Sequence, residues 1–409
     1  MDSIKPNPVR GPGRNARLLS WTAPTLAASM RDSMLIGFDL RYAADHFTGI
    51  GTHAFALFEA LLELPGEERY AALWDPRLES RRCGVERFRN HPRVHWTERA
   101  AGPLHPLGMI ATAAWLRETG ADVYLSPFYL RPPLAPCPCL LTIHDVWPLR
   151  LEEGLRGWRG WTYRLVLAWA RGAATIITSS EFSRREIVQL LRMPEERVRA
   201  IRLGVPPRRA QVVPRRPARA PAGPFALAVG DNRPRKNLAT LAGAWARMGS
   251  DPPLELVSVG PADSRYPTME RLASEAGARR VTGLGWVEEP ELEWLYAKAT
   301  LVLFPTRYEG FGFPLVEAFV RGLPVVASGI PVLREIGDGV CVFLDPDDPE
   351  GWATAIRRLA GSPRERETLA AAGRARAREL RYEDTARATL ALLREAAGSE
   401  GGSVRVGAA

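Results

Sequence analysis

The densest chemistry in the chain lies in the run Glu309-Gly-Phe-Gly-Phe-Pro-Leu-Val-Glu317, just after an apolar stretch at 301–305. Gly310 and Gly312 let a backbone come close to a ligand. Pro314 suits the first turn of a helix, where its missing N–H costs nothing. The amides of Phe313, Leu315 and Val316 are then expected to point at whatever sits above that helix. Orphan donors and the helix dipole together make an anion site, worth about 1 kcal/mol and at most about 2 kcal/mol when partly buried. Glu309 in the loop and Glu317 inside the helix bracket that site, and each carboxylate can accept two hydroxyl hydrogen bonds. The expected occupant is a diphosphate with a sugar at one end and a ribose at the other. A solvated glycine-rich turn is the plainer reading, but it leaves the coincidence of these features unexplained.

A second group, Val229-Gly-Asp231-Asn-Arg233-Pro-Arg235-Lys236-Asn237, follows an apolar run at 225–230 and opens a helix. Positive charge at such a turn stabilises negative charge that develops on a leaving diphosphate. Lys acts there as a compact point charge and Arg as a fork that matches phosphate oxygens. Lys5, Lys236 and Lys298 are the only lysines among 55 basic residues, so a lysine at this turn stands out. Thr48-Gly-Ile-Gly51-Thr-His53-Ala54 formally matches Gly-x-Gly-x-x-Ala. That dinucleotide fingerprint should follow the first strand at once, whereas about ten residues intervene after Asp39. A glycine loop reaching a phosphate across a cleft is therefore preferred to a NAD site. In Leu141-Thr-Ile-His144-Asp145-Val-Trp147-Pro148 a His-Asp pair ends a strand, and His144 is placed to hydrogen-bond a sugar hydroxyl. His46, His53, His91, His95 and His105 have no comparable setting and stay unassigned.

The elements that must hold these residues alternate short β-rich runs with helical patterns, the signature of parallel sheets with crossover helices. Strands are predicted at 35–39, 70–74, 123–126, 140–144, 175–178 and 198–203, with helices between them such as 52–62 and 182–191. Residues 206–224, dominated by Pro, Arg and Ala, read as a linker. The pattern then restarts with strands at 225–230, 254–260, 301–305, 325–328 and 340–344. The partner helices are predicted near 238–247, 269–276, 290–298, 314–321 and 352–359, followed by a helical run from 363 to about 396. Two doubly wound, Rossmann-like α/β domains facing a central cleft, at 34–205 and 225–375, are the economical architecture. A C-terminal helix at 376–396 and a flexible tail at 397–409 complete it. Ligands bind beyond the carboxyl ends of strands in such sheets, which is where all four motifs fall.

Composition narrows the function classes. The chain has 409 residues, 46% hydrophobic and 25% charged, as expected of a globular protein with two cores. No apolar run is long enough to span a bilayer. Residues 1–33 read as a disordered extension or a misplaced start. Four cysteines, with Cys137-Pro-Cys139 among them, lack metal-ligand spacing and fit a reducing cytoplasm. The net charge of +9 is dispersed and unaccompanied by a stacking pattern, which argues against nucleic acid. Weak attraction to an anionic membrane face, peripherally on its inner side, is the second expectation from this charge.

With these residues in place, the chain resembles glycosyltransferase family 4, the retaining enzymes of the GT-B fold. The likeness runs from about 35 to 394 and is strongest in Arg235-Lys236-Asn237, Gly285-Trp-Val287, Phe304-Pro-Thr-Arg-Tyr-Glu309-Gly-Phe-Gly312, Glu317-Ala-Phe319, Gly322-Leu-Pro324 and Pro331-Val-Leu-Arg-Glu335. Thr48-Gly-Ile-Gly51, Thr142-Ile-His144-Asp145 and Thr178-Ser-Ser-Glu-Phe-Ser183 are similar to members with mannosyl-type activity. The resemblance implies that Glu309 touches the transferred sugar near the reaction centre, assisted by the amides of Phe311 and Gly312. It implies that Glu317 binds the ribose, that Lys236 and Arg235 neutralise the diphosphate, and that Gly51 approaches it from the other domain. His144 would bind the donor sugar, and the last helix would cross back to the N-terminal domain. One departure is Asp231, where many members carry Arg; its role would pass to Arg233 or Arg235.

The expected activity is retaining hexosyl transfer, mannose-like, from GDP-mannose or else a UDP-sugar. The acceptor would be a glycan, a lipid-linked or a small-molecule compound, in cell-surface polysaccharide or glycoconjugate synthesis. No Asp-x-Asp motif lies near the site, so neither metal nor cofactor is expected. Rival readings are a nucleotide-sugar epimerase or polymer synthase on the same fold, and a non-catalytic sugar-nucleotide sensor.

Overall fold

Leu35-Ile-Gly-Phe-Asp39 forms β1, buried along its whole length. It has parallel partners on both sides: Ile36 pairs with Tyr70 of β2 (Arg69–Trp74) and with Val123 of β4 (Val123–Ser126). Strands covered on both faces take mostly apolar side chains without alternation, and the buried charge of β1, Asp39, is paired with Arg41 at 2.6 Å. The structure, a computed structural model, describes residues 33–45, 47–80, 84–150, 157–206 and 212–399. Among them β3 (Val94–Glu98), β5 (Cys139–Thr142), β6 (Thr175–Thr178) and β7 (Val198–Ala200) complete a seven-stranded parallel sheet of order β3-β2-β1-β4-β5-β6-β7.

A second parallel sheet, also among the described residues, has six strands. These are β8 (Phe225–Val229), β9 (Glu255–Val259), β10 (Val281–Gly285), β11 (Leu301–Phe304), β12 (Val325–Ser328) and β13 (Val342–Leu344), in the order β10-β9-β8-β11-β12-β13. Successive residues serve opposite faces: Phe225, Leu227, Val302 and Phe304 join one core, while Ala226, Ala228, Leu301 and Leu303 join the other. The expected fold class of two doubly wound Rossmann-like sheets is therefore the observed one. In each sheet the chain winds outward from its first strand, returns beside it and winds the other way. The reversals, at β1/β4 and β8/β11, open the crevices in which such sheets bind ligands.

The structure departs from the sequence expectations at several elements. The strands β3 and β10 were not expected. Each is an edge strand that is only half-buried, so neither carries a continuous apolar run. Thr48–Gly51 is not a loop: it is the first turn of a helix spanning Thr48–Glu63. The terminal helical run is two helices, Pro363–Glu379 and Tyr382–Ser399, so the last helix starts at 382 rather than 376 and residues 397–399 are helical. The break falls at Leu380-Arg381, where the Val205 amide donates to the Leu380 carbonyl at 2.8 Å. Tyr382, Ala386, Leu390, Leu393 and Ala396 of the last helix lie in the core of the first sheet. Within 206–224, the Arg215 amide donates to the Pro290 carbonyl and Arg216 lies over the Trp294 ring, so that stretch rests on the second sheet's layer. Residues 1–32, 207–211 and 400–409 lie outside the described residues.

Candidate active site

The loops that leave β8 and β11 meet at the reversal of the second sheet. After β8 the chain makes a short 3-10 turn, Pro234–Lys236, and Asn237 follows in the left-handed region at φ 57°. Asn tolerates that conformation better than most side chains. Its buried amide donates to the Pro305 carbonyl at 3.0 Å and the Pro346 carbonyl at 2.7 Å, tying the turn to the end of β11. The Arg307 amide donates to the Arg235 carbonyl at 2.8 Å, which joins the two loops directly.

This stitching brings Lys236 and Glu309 together, 73 residues apart in sequence: Lys236 Nζ lies 2.5 Å from Glu309 Oε1. The Thr306 hydroxyl lies 3.0 Å from the same oxygen, and Arg235 Nη1 lies 3.6 Å from it. Burial pushes the Glu309 carboxyl up, but Lys236 and Arg235 pull harder and hold it below the ordinary value. Arg235 also reaches Asp231 at 3.3 Å and lies over the Trp147 ring at 5.6 Å, across the cleft. Asp231 thus anchors the arginine that was expected to take over its role.

Glu317 lies in the helix Phe313–Val320 and accepts the Tyr296 hydroxyl at 2.7 Å. Arg321 packs on the Tyr296 ring at 4.4 Å and pairs with Glu293. Burial outweighs the Tyr296 bond and the Arg321 charge, so the Glu317 carboxyl sits above its ordinary value. The helix begins at Gly312, which has φ 117° and no side-chain cap. One expectation needs correction: the Leu315 amide is not free, because it donates to the Gly312 carbonyl at 3.0 Å in a tightened first turn. Phe311, Leu315 and Val316 are all buried.

The opposite wall comes from the first sheet. A Cβ on Gly310 would stand 2.3 Å from the His144 carbonyl, so this glycine makes room for the other half of the chain rather than for a ligand alone. Burial lowers the His144 ring to about 4, against a hydrogen bond with the Pro127 backbone. Burial raises the Asp145 carboxyl to about 6; Arg235 opposes that shift and Glu309 adds to it. His53 lies two residues beyond Gly51 and meets the His144 ring edge-on, centroids 4.8 Å apart. Its Nδ1 is 3.1 Å from the Tyr382 hydroxyl on the last helix. Gly51 itself packs in the helix, where a Cβ would come within 3.2 Å of the Tyr42 and Ala44 carbonyls, and its amide donates to Phe47. These contacts are those of a helix packed on a turn.

Sequence reasoning passed over His53, Thr306 and Tyr296. His53 stands alone in an apolar helical pattern, and Tyr296 looks like any helix aromatic. Thr306 is an ordinary loop threonine in the sequence, with nothing to mark it. Asn237 is readable from sequence, since a residue between a basic turn and a helix often caps or bends.

Comparisons with known proteins bear on this geometry. A model described as Glycosyltransferase Family 4 matches residues 47–209, and one described as Glycosyl transferases group 1 matches residues 223–362. The chain belongs to glycosyltransferase family 4. This family 4 chain is 30% identical over 234 residues to an O-antigen chain mannosyltransferase B of Escherichia coli, covering 53% of its own length and 60% of that protein. It is 31% identical over 275 residues to an MMP alpha-(1->4)-mannosyltransferase of Mycolicibacterium hassiacum, covering 63% of its own length and 66% of that protein. Among solved structures it superposes on Anabaena HepE in complex with UDP-glucose with TM-score 0.65 at 17% identity, over 88% of this chain and 100% of that one. That likeness shows the GT-B fold.

Proposed function

We propose that this chain is a retaining hexosyltransferase that moves a mannose-like sugar from a nucleoside diphosphate sugar to a glycan, lipid-linked or small-molecule acceptor. The observation that carries the reading is the Lys236–Glu309 pair at the sheet reversal, with Glu317 one turn into the helix that follows. The acceptor oxygen forms a bond to the anomeric carbon on the face from which the diphosphate departs. The bond from that carbon to the phosphate oxygen breaks, and the departing oxygen takes the acceptor's proton. Lys236 and Arg235 stabilise the charge that develops on the diphosphate, where a single preorganised donor is worth about 10²–10³ in kcat. Glu309 accepts hydroxyls of the sugar, Glu317 those of the ribose, and His144, neutral near pH 7, a further sugar hydroxyl. The donor amides are those around Gly310, Phe311, Gly312 and Val316, with Gly51 facing the phosphates from the other wall.

GDP-mannose is the favoured donor, supported by the two mannosyltransferase relatives. A UDP-sugar is the second reading, favoured by the UDP-glucose complex of the structural neighbour. Cell-surface polysaccharide or glycoconjugate synthesis, from the cytoplasmic side and without a metal, is the setting the reading implies. Among the described residues no helix is long and apolar enough to cross a membrane. Peripheral contact with an anionic face is supported by the helix Gly157–Ala170, which exposes Trp161, Leu165, Trp169 and Arg164. A thermal-shift series with GDP-mannose, UDP-glucose, GDP and UDP tests the donor, since a true ligand raises the midpoint with concentration. Product analysis with retained anomeric configuration tests the reaction. An inverted product, or a donor turned over to an epimer without acceptor, would sink it.

A further inference from the structure

The helix Glu181–Leu191 and the loop before it belong to the first half of the chain, yet the second half satisfies their polar groups. The hydroxyls of Ser179, Ser180 and Ser183 donate to the Gly310 carbonyl at 2.9, 3.0 and 3.3 Å, and all three serines are buried. Glu335, on the helix Pro331–Gly337, accepts the Glu181 amide at 2.9 Å and the Phe182 amide at 3.3 Å. It therefore caps the N-terminus of a helix in the opposite half, where free amides and the dipole favour a carboxylate. The Phe182 ring also meets the Tyr308 ring at 5.8 Å. These contacts surround the place where Gly310 of the second half lies against the His144 carbonyl of the first half.

We propose that Ser179, Ser180, Ser183 and Glu335 form a clasp that closes the cleft and holds Gly310, and with it the adjacent Glu309 carboxylate, in register for transfer. They are positioning residues that act through the loop. In an open cleft, water takes over each of these hydrogen bonds. Deleting one hydroxyl removes one of the Gly310 carbonyl's three donors, a hydrogen bond that only the closed form makes. Each deletion should therefore lower the closed-to-open ratio by roughly tenfold.

Small-angle scattering of the full chain reads closure with no transfer assay, so that arm stands apart from the donor chemistry proposed above, on which the kinetic arm rests. Gly310→Ala supplies the open reference, because its Cβ and the His144 carbonyl cannot occupy their present places together. Ser179→Ala is the sharpest variant, since the hydroxyl touches only the Gly310 and His144 carbonyls, at 2.9 and 3.4 Å. Ser179→Ala and Glu335→Ala should both move the scattering curve toward the open reference and lower transfer kcat roughly tenfold. Glu335→Gln, which keeps one acceptor oxygen for the amides, should recover part of both. Parent-like scattering in the two alanine variants overturns the clasp, whatever the rate does. Open scattering with parent-like kcat overturns the positioning role. If Glu335→Ala fails to fold, Ser179→Ala decides, because that hydroxyl caps no helix.

Discussion

Lys236 and Glu309 meet at 2.5 Å in a largely buried place, so each charge depends on the other. Removing one leaves its partner buried and unpaired, which costs more than the pair itself contributes. Lys236→Ala should lower transfer kcat by about 10²–10³, and the effect should exceed that of Arg235→Ala, whose nitrogen lies 3.6 Å from the carboxylate. Steady-state rates compare the two, and a Lys236→Ala rate near the parent would remove Lys236 from the reaction. Tyr296 orients Glu317 through one hydroxyl, so Tyr296→Phe should raise donor KM by about tenfold and leave kcat within about twofold. A fall in kcat alone would place Tyr296 elsewhere in the mechanism. The two histidines give a pH signature. An imidazole in the unfolded chain binds its proton near pH 6.5, whereas burial holds His144 at about 4 and His53 well below its ordinary value. Between those values the unfolded state binds more protons, so stability present above about pH 6.5 is lost as pH falls toward 4. Urea midpoints across that range should decline less in His53→Gln than in the parent, and equal slopes would contradict the assignment. Glu309, Glu317 and Lys236 were legible because their setting is local: a loop, a helix start and an unusual lysine. His53 was not, because its neighbour His144 is 91 residues away and only packing brings them together.

At the scale of elements, a strand was readable in proportion to its burial. β1, β4 and β11 are covered on both faces and carry unbroken apolar runs, while β3 and β10 sit at sheet edges with half-exposed, mixed residues. The turn after β8 shows how an element end holds the site. Asn237→Ala should lose two hydrogen bonds to the Pro305 and Pro346 carbonyls and leave alanine at φ 57°, destabilising the fold by about 2–4 kcal/mol. Asn237→Gly relieves only the backbone part and should cost about 1 kcal/mol less. Denaturant titration distinguishes them, and a neutral Asn237→Ala would show that the turn holds its shape without that anchor. Thr48–Gly51 was misread as a loop because two glycines and a preceding polar stretch look like one. A Cβ at Gly51 would lie 3.2 Å from the Tyr42 and Ala44 carbonyls, so the glycine suits close packing of the helix on that turn.

On the scale of the whole molecule, the chain crosses between halves twice, and the crossings touch. The Gly204 amide donates to the Thr385 hydroxyl at 3.0 Å, and a Cβ on Gly204 would fall 2.1 Å from the Tyr382 amide nitrogen. Ending the chain after Glu379 removes Tyr382, Ala386, Leu390, Leu393 and Ala396 from the first sheet's core, although the whole of the second sheet remains. Hydrogen exchange on that truncated protein should show lost protection in β1 and in the helix Thr48–Glu63, with the second sheet still protected; uniform protection would mean the last helix is dispensable. The sequence by itself determined the class of fold and four of the charged groups gathered at the candidate site, Glu309, Glu317, Lys236 and Arg235, because burial, helix starts and glycine turns are written in residues close to one another. Tertiary structure alone decided that Lys236 faces Glu309 and that Gly310 meets His144, whereas the return of the last helix to the first half was already implied by the family resemblance. Those pairings depend on where the sheets reverse and on which chains cross, and such long-range geometry leaves no trace in the local spacing of residues.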